Sequence, residues 1–280
     1  MMKLLTLLIG LFALAACVSD PAATDSLDEI AADYVQMQLE IGERDPGYVD
    51  AYYGPQEWAD AAKAAPRSLA QLAAAAAALE ARVQAVPPAG LAPLEARRRD
   101  FLLAQLRAAR TRLRVVQGEK LSFADEAEGL FGYRPELRPL PSFDPVLARL
   151  ERLVPGSGPL AQRVEAFQAR FNVPKDRLTS VFDAAIAECR RRTLAHIPLP
   201  PGESFTMEYV TGKSWSGYNW YKGNFHSLIQ INTDLPIRIS RAVDLGCHEG
   251  YPGHHAYNVL LEQKLVRERG WTEYSLYPLY

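Results

Sequence analysis

The sequence predicts a mostly helical α+β protein in which a small antiparallel sheet precedes one kinked helix. Three observations predict this fold class. Apolar residues recur at helical spacing over about 26–193, alternating apolar and polar runs follow residue 203, and a His-Glu sequence lies near residue 250. We therefore expect a helical scaffold over residues 18–197, and a sheet with the motif helix over residues 198–280.

Residues 1–17 are predicted to be a targeting segment. A positive start precedes an apolar run over residues 4–13, and Leu14-Ala15-Ala16-Cys17 resembles a bacterial lipobox. The apolar run is shorter than the about 20 residues that a membrane-spanning helix needs. Cleavage before Cys17 and lipidation of its thiol would anchor the protein in the periplasm, with sorting to the outer membrane. An ordinary secretory signal cut after Ala16 is the alternative.

The scaffold is predicted to be a succession of helices with recognisable ends. Ser26 and Glu29 form a capping box that starts the first helix. Two prolines at positions 87–88 end an alanine-rich helix, because proline lacks the amide hydrogen that a helix requires. The later helices are predicted at about 68–83, 91–116, 122 onwards, 145–154, 160–171 and 175–193.

A proline-rich stretch at residues 198–202 separates the scaffold from a predicted sheet. Residues 204–211 and 224–232 alternate, and the aromatic stretch 215–221 lies between them, which predicts about three antiparallel strands. We expect the 224–232 strand to be an exposed edge that pairs with an extended peptide. The alternative is an ordinary structural hairpin. The candidate substrate-binding residues are His226, Gln230 and Asn232.

The stretch His248-Glu249-Gly250-Tyr251-Pro252-Gly253-His254-His255 carries the candidate chemistry. A neutral imidazole is a good zinc ligand, and an adjacent glutamate can take a proton from water on the metal. On a straight helix His254 would point about 120° away from His248 and His255 would stand roughly 10 Å further along the axis. Neither pair could share an ion at about 2.0–2.1 Å. The glycines and Pro252 therefore predict a bulged or kinked helix that returns a second histidine to the first.

The pattern His-Glu-x-x-Pro-Gly-His-His resembles the signature of the domain-of-unknown-function 885 family, predicted bacterial lipoproteins with a mostly helical fold similar to zinc metallopeptidases (zincins). The resemblance covers the chain after the targeting segment and is most specific between Phe205 and Asn258. It implies zinc bound by His248 and His254, with His255 as the alternative ligand and Glu249 as the general base.

The third metal ligand is missing from this pattern. The resemblance implies a glutamate on a later helix, which this sequence does not reach, so we expect a C-terminally truncated chain. Within the sequence, Glu273 is the alternative third ligand, since Glu262 and Glu268 are predicted on the same helix as the histidines. The aromatic residues of 271–280 also indicate a partner segment that is absent, because such a tail is unfavourable in water.

Other residues are predicted to assist the motif. Tyrosines that donate a hydrogen bond to an oxyanion are common in zinc peptidases. The candidates are Tyr209, Tyr218 and Tyr221. Asp234 is predicted to cap the motif helix. Asp244 lies one turn before His248 and is a candidate to accept its second ring N–H, although an ion pair with Arg241 or Arg238 is the alternative.

Charge and cysteine content restrict the class of protein. With 31 Lys and Arg against 33 Asp and Glu, the net charge of −2 gives no basic excess for nucleic acid. Cys189 and Cys247 remain after Cys17 and can form one disulfide in an oxidising compartment. Cys247 lies beside His248, but adjacent helix positions diverge by about 100°, so we expect a small buried residue there and not a metal ligand.

Together these features predict a zinc-dependent peptidase-like hydrolase of the bacterial cell envelope. Glu249 would activate the water against a peptide bond, the substrate would be a peptide, and the lipid anchor would provide the only membrane contact. The alternative is a non-catalytic lipoprotein that binds peptides or envelope components in the same cleft. A metal that serves only as a structural staple is a third possibility.

Overall fold

The computed structural model describes residues 26–280 of the protein, so the predicted targeting segment and Cys17 lie outside the described residues. The described part is mostly helical with two small sheets, which confirms the α+β class. Between residues 26 and 280, no helix combines the length and the apolar character needed to cross a bilayer.

The N-terminal half is built around three long helices. Its elements are α1 Leu27–Arg44, β1 Val49–Tyr52, α2 Gln56–Ala64, α3 Leu69–Ala85, α4 Pro93–Val116 and α5 Phe123–Phe131. Ser26 and Ser68 form capping boxes with Glu29 and Gln71, as this side-chain pattern favours. Helices α1, α3 and α4 pack through fully buried apolar side chains, among them Ile30, Leu72 and Leu102, and form the larger core.

Three further helices lead to the second core. They are α6 Asp144–Leu153, α7 Leu160–Ala169 and α8 Leu178–Leu194, with 3-10 turns at Leu140–Phe143 and Lys175–Arg177. Phe182 of α8 is fully buried and belongs to a cluster that includes Ile231 and Leu245. This smaller core fixes the helix that carries His248.

The three-stranded sheet differs from the predicted one. Strands β2 Ser204–Val210, β3 Gly217–Gly223 and β4 His226–Asn232 have the order β2-β4-β3, with β4 antiparallel to β3 but parallel to β2. The predicted edge position of β4 is therefore wrong, because β4 has a neighbour on both sides. Asn224 and Phe225, at φ angles of 53° and 59°, form the tight turn that makes β3 and β4 a hairpin.

The motif segment consists of two helices, α9 Ile239–Glu249 and α10 His254–Leu261. Helix α9 starts later than predicted, with Arg238 at its N-cap position. The carboxylate of Asp234 instead accepts hydrogen bonds from the amides of Gly212 and Lys213, so its predicted capping role is wrong. A π-helical turn at Glu262–Arg267 follows α10.

The aromatic C-terminal residues find their partner within the chain. After a 3-10 turn at Thr272–Ser275, β5 Leu276–Pro278 pairs antiparallel with β1. Leu276 is buried in the larger core, and the Tyr277 ring packs against Tyr53 and Tyr221. The expectation that this tail lacks a partner is wrong, because its pairing partner lies more than 200 residues earlier in the sequence.

A disulfide joins Cys189 of α8 to Cys247 of α9, with a Cα–Cα distance of 5.8 Å. The sequence allowed this disulfide, and Cys247 is partly buried where a small buried residue was expected. The bond attaches α9 to α8 at the position directly before His248, so it restrains the backbone that carries this imidazole.

Replacing both cysteines, Cys189→Ser with Cys247→Ser, is expected to lower the free energy of unfolding by roughly 2–4 kcal/mol, because the cross-link restricts the unfolded chain. Urea denaturation of the oxidised parent and the double variant measures the difference. Reductant should lower the free energy of unfolding of the parent by a similar amount and leave that of the variant unchanged. Two titratable thiols in the unfolded, unreduced parent would contradict the disulfide.

Candidate functional site

The break between α9 and α10 brings two histidines together. The rings of His248 and His254 have centroids 4.8 Å apart and lie nearly perpendicular, at 81°. Residues 250–253 between the helices are not helical, and the Tyr251–Pro252 peptide bond is cis. Both imidazoles are exposed at the cleft described below. Two rings six positions apart in sequence are thus direct neighbours in space.

Gly253 makes this close approach possible. A Cβ atom built on Gly253 would lie 1.7 Å from the carbonyl oxygen of His248, a distance that no side chain can tolerate. The Gly253 amide also donates to the carbonyl of Cys247 at 3.1 Å. Glycine at 253 is therefore a steric requirement of the turn, since it lets α10 start directly against the last turn of α9.

His255 faces away from this pair. It is fully buried, its Nδ1 lies 2.8 Å from Ser227 Oγ, and its Nε2 lies 3.0 Å from Glu203 Oε2. Both ring nitrogens are therefore engaged within the protein. Of the two ligand assignments left open by the sequence, this geometry favours His254.

Glu203 binds the turn between α9 and α10 through Tyr251 and also contacts His255. Its buried carboxylate accepts hydrogen bonds from the hydroxyl of Tyr251 at 2.5 Å and from the guanidinium of Arg190 at 2.6 Å. Burial alone would raise the pKa of Glu203, but these bonds and the one with His255 hold it below its usual value. The turn is thus tied to an ionised carboxylate from the segment before β2.

Glu249 lies beside the two imidazoles and is buried. Burial raises the pKa of its carboxyl, which makes the carboxylate a stronger base. A Cβ at Gly217 of β3 would lie 3.0 Å from Glu249 Oε1, so the missing side chain leaves room for the carboxylate. Asn219 of the same strand donates from Nδ2 to the main-chain carbonyl of Glu249 at 2.8 Å.

These residues line an open cleft of about 500 Å³. His248, Glu249 and His254 line it together with Tyr257 and Asn258 of α10, residues 217–219 of β3, Tyr277 of β5 and Asp50 of β1. The cleft therefore combines the motif with a carboxylate from the N-terminal half. Its size is in the range of small-ligand sites.

The tyrosine that reaches the cleft beside β3 is Tyr218, whose hydroxyl donates to Asp50. The other two candidate tyrosines lie elsewhere. Tyr221 is buried and donates to Glu262 at 2.5 Å, and Tyr209 packs edge-on against Phe182. Of the three candidate tyrosines, Tyr218 is therefore the one that lines the cleft, and the predicted placement of Tyr209 and Tyr221 at the cleft is wrong.

The predicted substrate-binding residues on β4 do not line the cleft, because β4 is the central strand. Each makes hydrogen bonds with neighbouring strands or loops. His226 Nδ1 lies 3.2 Å from Ser204 Oγ, Gln230 bonds to Trp220 and Glu208, and Asn232 donates to the carbonyls of Lys213 and Trp215. Asp244 forms an exposed ion pair with Arg241, which is the alternative that the sequence left open.

Glu273 does not reach the histidines. It is fully buried, and Arg98 binds both of its carboxylate oxygens, with Nε at 2.5 Å and Nη2 at 3.0 Å. Arg98 also pairs with the exposed Asp28. The alternative assignment of Glu273 as third ligand is therefore wrong, because its carboxylate is buried and already paired with Arg98.

Glu273→Gln is expected to destabilise the protein by roughly 3 kcal/mol, because it leaves Arg98 buried with a neutral partner, and to leave zinc affinity unchanged. Urea unfolding and competition with a zinc chelator measure the two quantities. The control Glu268→Gln, which removes an exposed pair with Lys264, should change stability by less than about 1 kcal/mol. Weaker zinc binding with unchanged stability would restore Glu273 as a ligand.

Sequence reasoning missed Asp50, Asn219 and Glu203. Each reaches the site through tertiary pairing: Asp50 through β1–β5, Asn219 through the β3–β4 hairpin, and Glu203 from the segment before β2. No local pattern marks them. Tyr257 and Asn258 had a usable signal, because residues three and four positions after His254 share its helix face.

No protein-family model, curated protein or solved structure matches this chain. Two neighbouring imidazoles are a donor set that suits zinc. Partial burial, and secondly the nearby His248, lower the pKa of His254, which favours the neutral ring that binds metal. Within residues 26–280, no group of three or more His, Cys, Asp or Glu side chains is placed to hold a metal ion. The residues present thus fit two positions of a zinc site.

Gly253→Ala is expected to weaken zinc binding roughly ten-fold or more, because the added methyl must push α10 away from His248. Chelator competition measures the affinity, and circular dichroism checks that the helices remain. Gly118→Ala is the control: Gly118 also has a special backbone conformation, with φ of 95°, but it lies in open space after α4. Equal zinc affinity in both variants would contradict the steric role of Gly253.

Proposed function

We propose that this protein is a zinc-dependent peptidase-like hydrolase of the bacterial cell envelope. The observation that carries the proposal is the approach of His248 and His254 to 4.8 Å beside the buried Glu249 in one open cleft. The resemblance of the motif to the domain-of-unknown-function 885 family and its zincin-like kinked helix supports the same function. The helix break replaces the usual four-residue histidine spacing of such motifs.

In this proposal His248 and His254 hold the metal through their ring nitrogens. Bound zinc supplies a Lewis acid that polarises the peptide carbonyl and makes water acidic. Within residues 26–280, no third His, Cys, Asp or Glu side chain is grouped with the two histidines, and the resemblance implies a glutamate as the third ligand. Gly253 and the Glu203 network keep the two imidazoles in place when ligands exchange.

Glu249 is the proposed general base. Its buried carboxylate has a raised pKa, so it accepts a proton from the attacking water more readily than an exposed glutamate does. The same carboxylate can then pass the proton to the leaving amine. Gly217 leaves room for the Glu249 carboxylate beside β3.

Strand β3 is the proposed platform for the peptide main chain. Asn232 donates from its amide to the carbonyl of Ser216, so the alternating pattern of an antiparallel pair directs the main-chain groups of Gly217 and Asn219 away from β4. Those groups lie at the strand edge that lines the cleft. An extended peptide can pair there with modest side-chain requirements.

The envelope location rests on two features. The predicted lipobox ending at Cys17 implies export and lipid anchoring. The Cys189–Cys247 disulfide supports an oxidising compartment such as the periplasm.

A non-catalytic lipoprotein that binds peptides or envelope components in the same cleft is the second candidate function. It is favoured by one observation, that no third metal ligand meets the histidine pair within residues 26–280. Binding in this case would use the β3 edge and the aromatic lining and would need no metal.

The proposal predicts about one zinc per chain, retained in Glu249→Gln and lost in His248→Ala. Glu249→Gln is expected to lower peptide hydrolysis by roughly 10²–10⁴-fold, because it removes the base and leaves the ligands. Elemental analysis and digestion of a mixed peptide substrate by a preparation shown to contain zinc measure both effects.

Glu57→Gln is the matched control, since Glu57 is an exposed glutamate on α2. It should retain full hydrolysis and zinc. Undiminished hydrolysis in Glu249→Gln would exclude its role as the base. A metal-free protein that still binds peptides by calorimetry would instead favour the second function.

A further inference from the structure

We propose that the cleft is an amine-binding site in which Asp50 recognises the free α-ammonium group of a peptide, so that the substrates are peptide amino termini. This inference rests on the proposed function and specifies its substrate class. It assigns a role to a residue of the N-terminal half, where the sequence indicated scaffold alone.

Asp50 is a partly buried carboxylate without a cationic partner. Pairing of β1 with β5 places it in the cleft beside Tyr277, and the hydroxyl of Tyr218 donates to it. Within residues 26–280, no Lys, Arg or His side chain forms an ion pair with Asp50. Burial raises the pKa of its carboxyl, which shows that the charge is poorly solvated where it stands. A cation from a ligand would supply the missing counter-charge.

The cleft has no cationic side chain of its own. Among the described residues that line it, none is Lys or Arg. An ammonium group, which has three donors and no acceptor, can therefore supply the counter-charge for Asp50. Asn219, which also lines the cleft, donates through Nδ2 to the Glu249 carbonyl, and its buried Oδ1 has no hydrogen-bond partner within residues 26–280.

Aromatic rings surround the same space. Trp215, Tyr218, Tyr257 and Tyr277 all line the cleft, and the ring of Tyr218 packs on Trp220. Ring faces attract cations and tolerate apolar side chains, so they suit a charged terminus that carries a variable first residue.

The short reach of the cleft favours the α-ammonium over a lysine side chain. Asp50 and Glu249 line one cavity of about 500 Å³, so a single bound peptide can contact both carboxylates. The α-ammonium is two bonds from the first carbonyl carbon, whereas the lysine ammonium sits on a flexible four-carbon stem. A compact site therefore presents the first peptide bond to Glu249.

The test is calorimetric binding to the Glu249→Gln protein, in which hydrolysis is blocked. Three peptide amides of equal length serve as probes: trialanine with a free amino terminus, N-acetyl-trialanine, and N-acetyl-Ala-Lys-Ala. The free terminus is expected to bind roughly ten-fold or more tightly than either acetylated peptide. In the Glu249→Gln protein that also carries Asp50→Asn, the affinities for the free and acetylated peptides should differ by no more than about two-fold.

A surface variant separates the local contact from general charge. Asp60→Asn makes the same change on the exposed surface of α2, so the free terminus should still bind more tightly than the acetylated peptides. Circular dichroism checks that Asp50→Asn remains folded. Loss of the preference for the free terminus in Asp60→Asn would overturn the assignment.

The outcomes distinguish this inference from the proposed function. Equal binding of the free and acetylated peptides overturns the amine site and leaves the hydrolase, which is measured separately by digestion with intact Glu249. Tightest binding of the lysine peptide overturns the amino-terminal assignment. Binding of none of the three overturns the amine site, and absence of hydrolysis by the zinc-containing parent overturns the hydrolase. If the free terminus binds more tightly by the expected factor but the zinc-containing parent hydrolyses no peptide, the amine site is supported and the hydrolase is excluded.

Discussion

The contact between Gly253 and the carbonyl of His248 is the constraint on which the site depends. Because residue 253 has no side chain, α10 starts against the end of α9, and two histidines six positions apart become neighbours. The restraints around this contact act from different directions. Glu203 binds Tyr251 in the break and His255 in α10, and the Cys189–Cys247 bond attaches α9 to α8 just before His248. A rigid turn of this kind sets ligand positions before any ligand binds.

The N-terminal helices are part of the site's construction. Pairing of β1 with β5 brings Asp50 to the cleft, and Arg98 of α4 anchors Glu273 just before β5. The cleft is therefore assembled from segments at both ends of the described chain. We infer that the helical half does more than support the sheet, since its short strand supplies one of the two carboxylates that face the candidate substrate.

The sequence predicted what depends on local stereochemistry. The helix predicted over 68–83 is α3 Leu69–Ala85, because its capping box and its terminal prolines act within a few residues. Proline and glycine likewise predicted the break after Glu249. Strand order and the β1–β5 pair were not predictable, because they depend on contacts between residues that are far apart in sequence. For the same reason the sequence placed β4 at the sheet edge, where the structure has β3. It also offered Tyr221 for the cleft, where the structure has Tyr218.

Ion pairing explains which carboxylates are free for chemistry. Arginines neutralise Glu273 and Asp244, which the sequence offered as ligand or helper, and also Glu262, which the sequence set aside. Arg98 binds Glu273, Arg267 binds Glu262 at 2.8 Å, and Arg241 pairs with Asp244. Glu249 and Asp50 form no ion pair with any residue from 26 to 280, and both have raised pKa values because of burial. The fold neutralises these acids with arginines but leaves Glu249 and Asp50 buried or partly buried without an ion pair in one cleft, which lowers its stability. This pattern is expected where a ligand supplies the missing charge.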